Sequence, residues 1–484
     1  MTPPRVKLLV VTMRERPTRM RMPFRFGVTT ATHGRQAIAA IRLRLEDGRE
    51  GAGYAAEALG AKWFDKNLGL TDQQNHHQLR KALEIAAGTY LEAPAMTAFD
   101  LFAEHYDAHV KECAALALNP LIASYGLALL DRAVLDAVCR ILGISFYAAI
   151  RANIAGIRPH AIAPELKGFD IAAFLGKLSP GKSIDARHTV GLLDPITRTD
   201  QKADARIGDG LPETLEEVIA AYGHRYFKLK VSGEAGADID RLEKIAAVLD
   251  RLADPYFVTL DGNEQYDSAE EFAAFLERAT RRPALSRLIS STLCVEQPIR
   301  RSAALSRPVH LLTRFAPLII DESDGEMSSF PRARTLGYSG VSSKNCKGFY
   351  KSILNAARCA LWNEESGGRY FMSAEDLTTE PGLCVQQDLA LVNLLGLRHV
   401  ERNGHHFIDG FGGRPETEAR AFLTAHPDLY RDDGGRVRLR IEGGKLGIAS
   451  LDCPGFGSTV VPDLSATEPM PKADWPNDPA GRTR

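Results

Sequence analysis

Residues 226–233, "YFKLKVSG", decide how the chain is read. Phe227, Leu229 and Val231 alternate with Lys228 and Lys230. That period of two predicts a β-strand with apolar residues on one face and both lysines on the other. The flanking stretches "LPETLEEVIAAYG" and "DIDRLEKIAAVLDRLA" carry apolar residues three and four apart, as amphipathic helices do. A strand between two helices belongs to a β/α repeat covered on both faces, where two ammonium groups on one side need anionic company.

Working outward, the apolar runs "HTVGLLD", "YFVTLD", "LCVEQ", "PLIIDE", "GVSSKN" and "RYFMSAED" alternate with further helical stretches. Their recurrence at roughly 25 to 35 residues predicts an α/β protein built on a (β/α)8 barrel. The N-terminal region has another rhythm. "VKLLVVTM" and "AIAAIRLRLEDGREGAGYAAE" read as a meander with an Asp-Gly hairpin, "MPFRFGVTTATHG" as a long loop, and residues 75–150 as helical. The predicted organisation is an α+β capping domain over 1–135 and the barrel over 136–430. A return to the cap over 431–465, with an antiparallel pair across a Gly-Gly turn, and a polar, proline-rich flexible tail over 466–484 complete it.

The 60 basic and 61 acidic side chains of the 484 residues leave no global field to hold nucleic acid or an anionic membrane. Seven scattered cysteines without a C-x-x-C pair argue against a disulfide framework and a structural zinc site, so a cytoplasmic location is expected. No stretch approaches the roughly 20 apolar residues of a membrane span, and "LLVV" is too short for the core of a signal peptide. The expected partner is a small molecule; a homo-oligomer is compatible with the surface pattern, which fixes no subunit number.

A polar residue that ends a barrel strand lies at the barrel mouth. Acids recur there: Asp261 ends "FVTLD", Glu296 ends "LCVE", and Asp321, with Glu322 beside it, ends "LIID". A single Asp after a strand is ordinarily a helix cap or turn residue. Three converging acids repel one another unless a cation lies between them, and oxygen ligands suit a hard divalent ion, most simply Mg²⁺. Strand parity alone leaves Asp321 and Glu322 open as the third ligand.

The order Lys228-x-Lys230, Asp261 in "LDGN", Glu296 in "VEQP", Asp321 in "IDES" and Lys344 in "SSKNCKG" resembles the enolase superfamily, in its mandelate racemase/muconate-lactonizing branch. The likeness extends over most of the chain, including "GGKLGIASLDCPGFGS", similar to the family's closing motif. The stretch 150–210 departs from it, as an insertion around the first barrel strand.

The resemblance implies an enzyme in which Mg²⁺ on Asp261, Glu296 and Asp321 assists removal of the proton α to a carboxylate, through an enediolate. Racemisation, epimerisation or β-elimination follows. Lys230 would be the base, its pKa lowered by Lys228 and the metal, and Lys228 could touch the substrate carboxylate. Lys344 would act from the opposite face, with Lys347 as competitor for that place. "GVSSKN" lacks an Asp and "RYFMSAED" a His, which favours the two-lysine arrangement over the racemase His-Asp pair. Glu375 would orient Lys344 or bind a polar substrate group, or else cap the next helix with Asp376. Asn403 with His405 or His406 are further candidates for substrate contact, and Cys346 reads as a small buried side chain. Two other readings stay open: a Schiff-base barrel aldolase, since a strand lysine of lowered pKa also suits imine formation, and a non-catalytic metal-binding barrel.

Overall fold

In the computed structural model, which describes residues 2–27 and 29–476, the cap is an antiparallel sheet of β1 (Arg5–Phe26), β2 (Thr29–Leu45) and β3 (Glu50–Ala58). Asp47 and Gly48 turn β2 into β3, as the sequence indicates. Residues 22–27 and 29–34 of the predicted long loop belong instead to the outer part of a long hairpin, paired from Val6↔Leu45 to Phe26↔Thr29. One irregularity, between Arg19 and Phe24, interrupts its outer part.

Two helices cover the sheet. α1 (Asp72–Glu92) opens with a capping box between Thr71 and Gln74. α2 (Pro120–Leu142) starts on the Asn119 side chain with Pro120 in its first turn and stops at Gly143, which adopts φ 66°. α2 is buried almost all round because the cap packs on one side of it and barrel elements on the other. A Cβ on Gly53 of β3 would lie 2.1 Å from the Ala133 carbonyl of α2, so only glycine permits that approach. Asp136 locks the layers together. It accepts from the Tyr54 amide at 2.8 Å, the Phe456 amide at 2.7 Å and Arg140 Nε at 2.7 Å. The division drawn at 135/136 therefore cuts through a continuous helix.

The barrel has eight parallel strands: β4 (Ser183–Val190), β5 (Tyr226–Lys230), β6 (Phe257–Asp261), β7 (Thr292–Glu296), β8 (Leu318–Ile320), β9 (Gly340–Ser343), β10 (Phe371–Ala374) and β11 (His399–Arg402). It closes where β11 pairs with β4, His399↔Asp185 to Arg402↔His188. Helices between successive strands bury the outer face, as in a (β/α)8 barrel.

The C-terminal segment makes two small hairpins. Tyr430–Asp433 pairs with Arg436–Leu439, and Ile441–Glu442 with Lys445–Gly447 across Gly443-Gly444. The second docks on the barrel through Lys445↔Asp185, while Phe456 stacks on Phe146 beside α2. Residues 466–476, expected as the start of a free tail, are packed instead. Glu468 and Pro469 pair with β1, and Trp475 Nε1 donates to the Leu116 carbonyl at 2.9 Å. Residues 477–484 of that expected tail lie outside the described residues.

Candidate active site

The barrel mouth opens into a cavity between barrel and cap. Its floor includes Lys228, Lys230, Asp261, Asp321, Lys344, Glu401 and Asn403. Its roof comes from the hairpin tip, with Met20, Phe24 and Phe26, and from Leu59 to Trp63. Phe24 packs on Phe407 at 4.4 Å between ring centres, which ties the hairpin tip to the barrel.

Strand register brings the charged residues to one level. Lys230 pairs with Asp261, and Asp261 with Glu296, as Cα partners across β5, β6 and β7. Beyond the strand ends, Asn263, Glu264 and Gln297 adopt left-handed backbone conformations, which are costly for side-chain-bearing residues and recur where a site must be held in shape. Gln297 shows what holds them. Its Oε1 accepts from the Asp321 amide at 2.9 Å and the Ser323 amide at 3.1 Å, so the residue after Glu296 fixes the turn that carries Asp321.

Lys228 is the hub. Its Nζ lies 2.7 Å from Glu296 Oε2, 2.9 Å from Glu375 Oε2, 3.1 Å from Glu401 Oε2 and 3.2 Å from Asp261 Oδ2. Burial alone would lower its pKa, but the four carboxylates raise it well above the ordinary lysine value. Lys228 is thus a locked ammonium. Lys230 Nζ pairs with the same Asp261 Oδ2 at 2.7 Å, facing the Phe24 ring.

Across the mouth Lys344 Nζ meets Asp321 Oδ2 at 2.6 Å, and Asp321 Oδ1 accepts from Ser342 Oγ at 2.5 Å. Burial disfavours the Lys344 charge, and Asp321 outweighs it and raises the pKa. The candidates Lys344 and Lys347 separate: Lys344 lines the cavity, whereas Lys347 is turned to Ser342 Oγ at 2.6 Å and Asp324 Oδ2 at 3.2 Å. Asp321 and Glu322 separate as well. Asp321 lines the cavity, and Glu322 is turned to Asn263 Nδ2 at 2.9 Å, with burial pushing its carboxyl up to about 7.

Not every expected residue reaches the cavity. Glu375 lies below it, held by Arg187, Ser373 and Lys228, so it props Lys228 rather than a substrate. His405 faces His188 and His224 on another side of the wall and does not line the cavity. Asn403 does line it, and donates to Glu401 Oε1 at 3.0 Å.

Glu401 is the main residue that the sequence reading passed over. It also accepts from Thr189 Oγ1 at 2.5 Å and from the Asp376 amide at 2.9 Å. The signal was present in "HVERN", where His399, Glu401 and Asn403 share one face at a period of two. The same period puts Arg187 and Thr189 of β4 inside the barrel.

Asp261, Glu296 and Asp321 offer only oxygen, the donor type Mg²⁺ takes. They are linked here through ammonium groups, with Lys228 between Asp261 and Glu296 and Lys344 against Asp321. Negative charge is nonetheless in excess at Glu296. Burial, then Asp261 and Glu375, raise its pKa well above the ordinary carboxylate value despite Lys228. An added cation would relieve that excess, so the residues fit the ion in donor chemistry and in charge.

Solved structures with this architecture are numerous. A mandelate racemase/muconate lactonizing enzyme superposes with TM-score 0.59 at 14% identity, covering 96% of this chain and 99% of that one. A dipeptide epimerase from Enterococcus faecalis V583, complexed with Mg and the dipeptide L-Leu-L-Tyr, gives 0.58 at 14% identity over 93% of this chain and 99% of that one. An enolase from Bradyrhizobium, complexed with magnesium and mandelic acid, gives 0.56 at 16% identity over 96% and 97%. No family model and no curated protein matches the sequence. With its closed eight-strand barrel under an antiparallel cap, the chain carries the fold of the enolase superfamily in its mandelate racemase/muconate-lactonizing form.

Proposed function

We propose that the chain is a Mg²⁺-dependent enzyme that removes the proton α to the carboxylate of a small substrate. The product would arise by racemisation, epimerisation or β-elimination. The observation that carries this reading is the pairing of two lysines, Lys230 and Lys344, with two different acids, Asp261 and Asp321, at different strand ends of one roofed cavity.

Asp261, Glu296 and Asp321 would hold the ion. Bound there, Mg²⁺ supplies positive charge against the substrate carboxylate oxygens. Lys230 accepts the α-proton, and charge that develops on the substrate is met by Lys228, which stays protonated because four acids surround it. Lys344 returns a proton from the other side, or donates one to a leaving group. The Phe24 and Trp63 rings exclude water above the two lysines, which strengthens each of these interactions.

A panel of α-deuterated acid sugars and N-acyl amino acids, with and without Mg²⁺, tests the reading. Ion-dependent loss of the α-deuteron from at least one class is the expected result. Calorimetry of Glu296→Gln should show weakened Mg²⁺ binding; wild-type affinity would remove that ligand.

A further inference from the structure

Ligating side chains converge at a second place, on the outer face of the barrel wall by the seam where β11 meets β4. Arg187 and Thr189 of β4 bond Glu375 and Glu401 inside the barrel, so His188 between them faces outward. His224 lies just before β5, and His405 lies in the short helix Gly404–Phe407 that follows β11. Among the described residues, these three form the group of His, Cys, Asp or Glu whose ligand atoms all lie within 4.8 Å of one another. All three are buried.

Their nitrogens do not satisfy one another. His224 Nδ1 lies 2.9 Å from the Ala186 carbonyl, so it carries the proton and donates, and the Nε2 lone pair of a neutral His224 points into the cluster. His405 Nε2 lies 3.3 Å from that atom and 3.2 Å from His188 Nδ1. A full hydrogen bond from His405 to His224 requires the single Nε2 proton. No neutral tautomer then gives both contacts a proton of their own, and a lone pair is left facing a nitrogen in a buried setting.

A metal ion removes the conflict. Tetrahedral ligands at about 2.0 to 2.1 Å from Zn²⁺ stand roughly 3.3 to 3.4 Å apart, close to the two spacings found here. The Ala186 carbonyl on His224 Nδ1 is the kind of outer partner that fixes a ligating imidazole. A small cavity lined by Tyr222, Thr379, Gly404 and His405 adjoins the cluster, with room for about one water as a fourth ligand.

We propose that His188, His224 and His405 bind one divalent transition-metal ion, most simply Zn²⁺, at a site separate from the carboxylates of the barrel mouth. The ion clips β4, the start of β5 and the segment after β11 together across the seam that closes the barrel. Three imidazoles do not suit Mg²⁺, so the two sites select different ions.

Chelator-stripped protein titrated with Co²⁺ in excess Mg²⁺ tests the site. The expected result is one equivalent bound, with the intense visible absorption of tetrahedral Co²⁺. His224→Gln and His405→Gln should each lose that band, and Glu296→Gln should keep it. No Co²⁺ retained against Mg²⁺, a band that survives in folded His405→Gln, or a band lost in Glu296→Gln would each overturn the proposal. Should the histidine variants fail to fold, X-ray absorption of Zn²⁺-loaded wild-type protein decides. Three imidazole ligands support the site, and a shell of oxygen alone overturns it.

Discussion

The Lys344 ammonium lies 4.3 Å from the centre of the Trp63 ring, so a residue of the cap and one at a barrel strand end share a wall of the cavity. A cation over an indole face gains about 0.5 to 2 kcal/mol, more when desolvated as here. Trp63→Leu should therefore slow turnover by roughly 3- to 30-fold, with Trp63→Phe in between. Steady-state kinetics on both variants check this. Equal rates for all three proteins would show that the ring does not hold Lys344 in its working position.

Lys228 occupies the centre of four buried carboxylates. Without it, those acids have no common counter-cation, and removing one partner of a buried ion pair costs about 3 to 5 kcal/mol. Lys228→Met should melt well below the wild type in a chelator and regain much of the difference in Mg²⁺. Scanning calorimetry with and without the ion measures it; a variant whose midpoint ignores Mg²⁺ would mean that the ion does not reach those acids.

Burial pushes the Asp131 carboxyl up to about 8, although Tyr90 donates to it at 2.7 Å and Arg132 is nearby. A carboxyl raised in the folded state contributes stability that is full below its ordinary value near 4 and is lost as pH rises towards 8. Asp131→Asn keeps the Tyr90 contact without the charge. Its stability relative to the wild type should climb between pH 4 and 8, by an amount on the order of a few kcal/mol. Thermal melts across that range would show a constant difference if Asp131 were ionised throughout.

Gly53 lets the cap sheet touch α2. A Cβ there would sit 2.1 Å from Ala133 O and 2.4 Å from the Ala137 amide nitrogen, both backbone atoms that cannot swing aside. Gly53→Ala should cost about 1 to 3 kcal/mol through overpacking. Urea unfolding with no change in midpoint would contradict the close packing of cap and helix.

The barrel was legible because its strands are short apolar runs and its chemistry ends them. Glu296 and Asp321 each follow an unbroken apolar stretch, Asp261 follows one broken only by Thr259, and Lys228 and Lys230 interrupt theirs at a period of two. The long hairpin was not. "TMRERPTRMRM" carries charges along both faces and Pro17 within its run, so no apolar stripe marks it as a strand; its pairing with β2 supplies the order instead. The ring of acids around Lys228 was half legible. Asp261, Glu296 and Glu375 follow from strand ends and Glu401 from the period of two in "HVERN", but that Glu375 and Glu401 reach Lys228 follows only from barrel closure, a relation between distant strands that no local pattern expresses. The same closure brings His188 to His405.

The central claim is that Lys230 takes a proton from the carbon next to a carboxylate while a divalent ion sits on Asp261, Glu296 and Asp321. Its most direct test is wash-out of an α-deuteron from a turned-over substrate, followed by NMR for wild type and Lys230→Ala, each with Mg²⁺ and with chelator. The account predicts exchange in the wild type with Mg²⁺ and none in the other three samples, with Lys230→Ala still binding Mg²⁺. Exchange at the wild-type rate in Lys230→Ala, or undiminished in chelator, would contradict it.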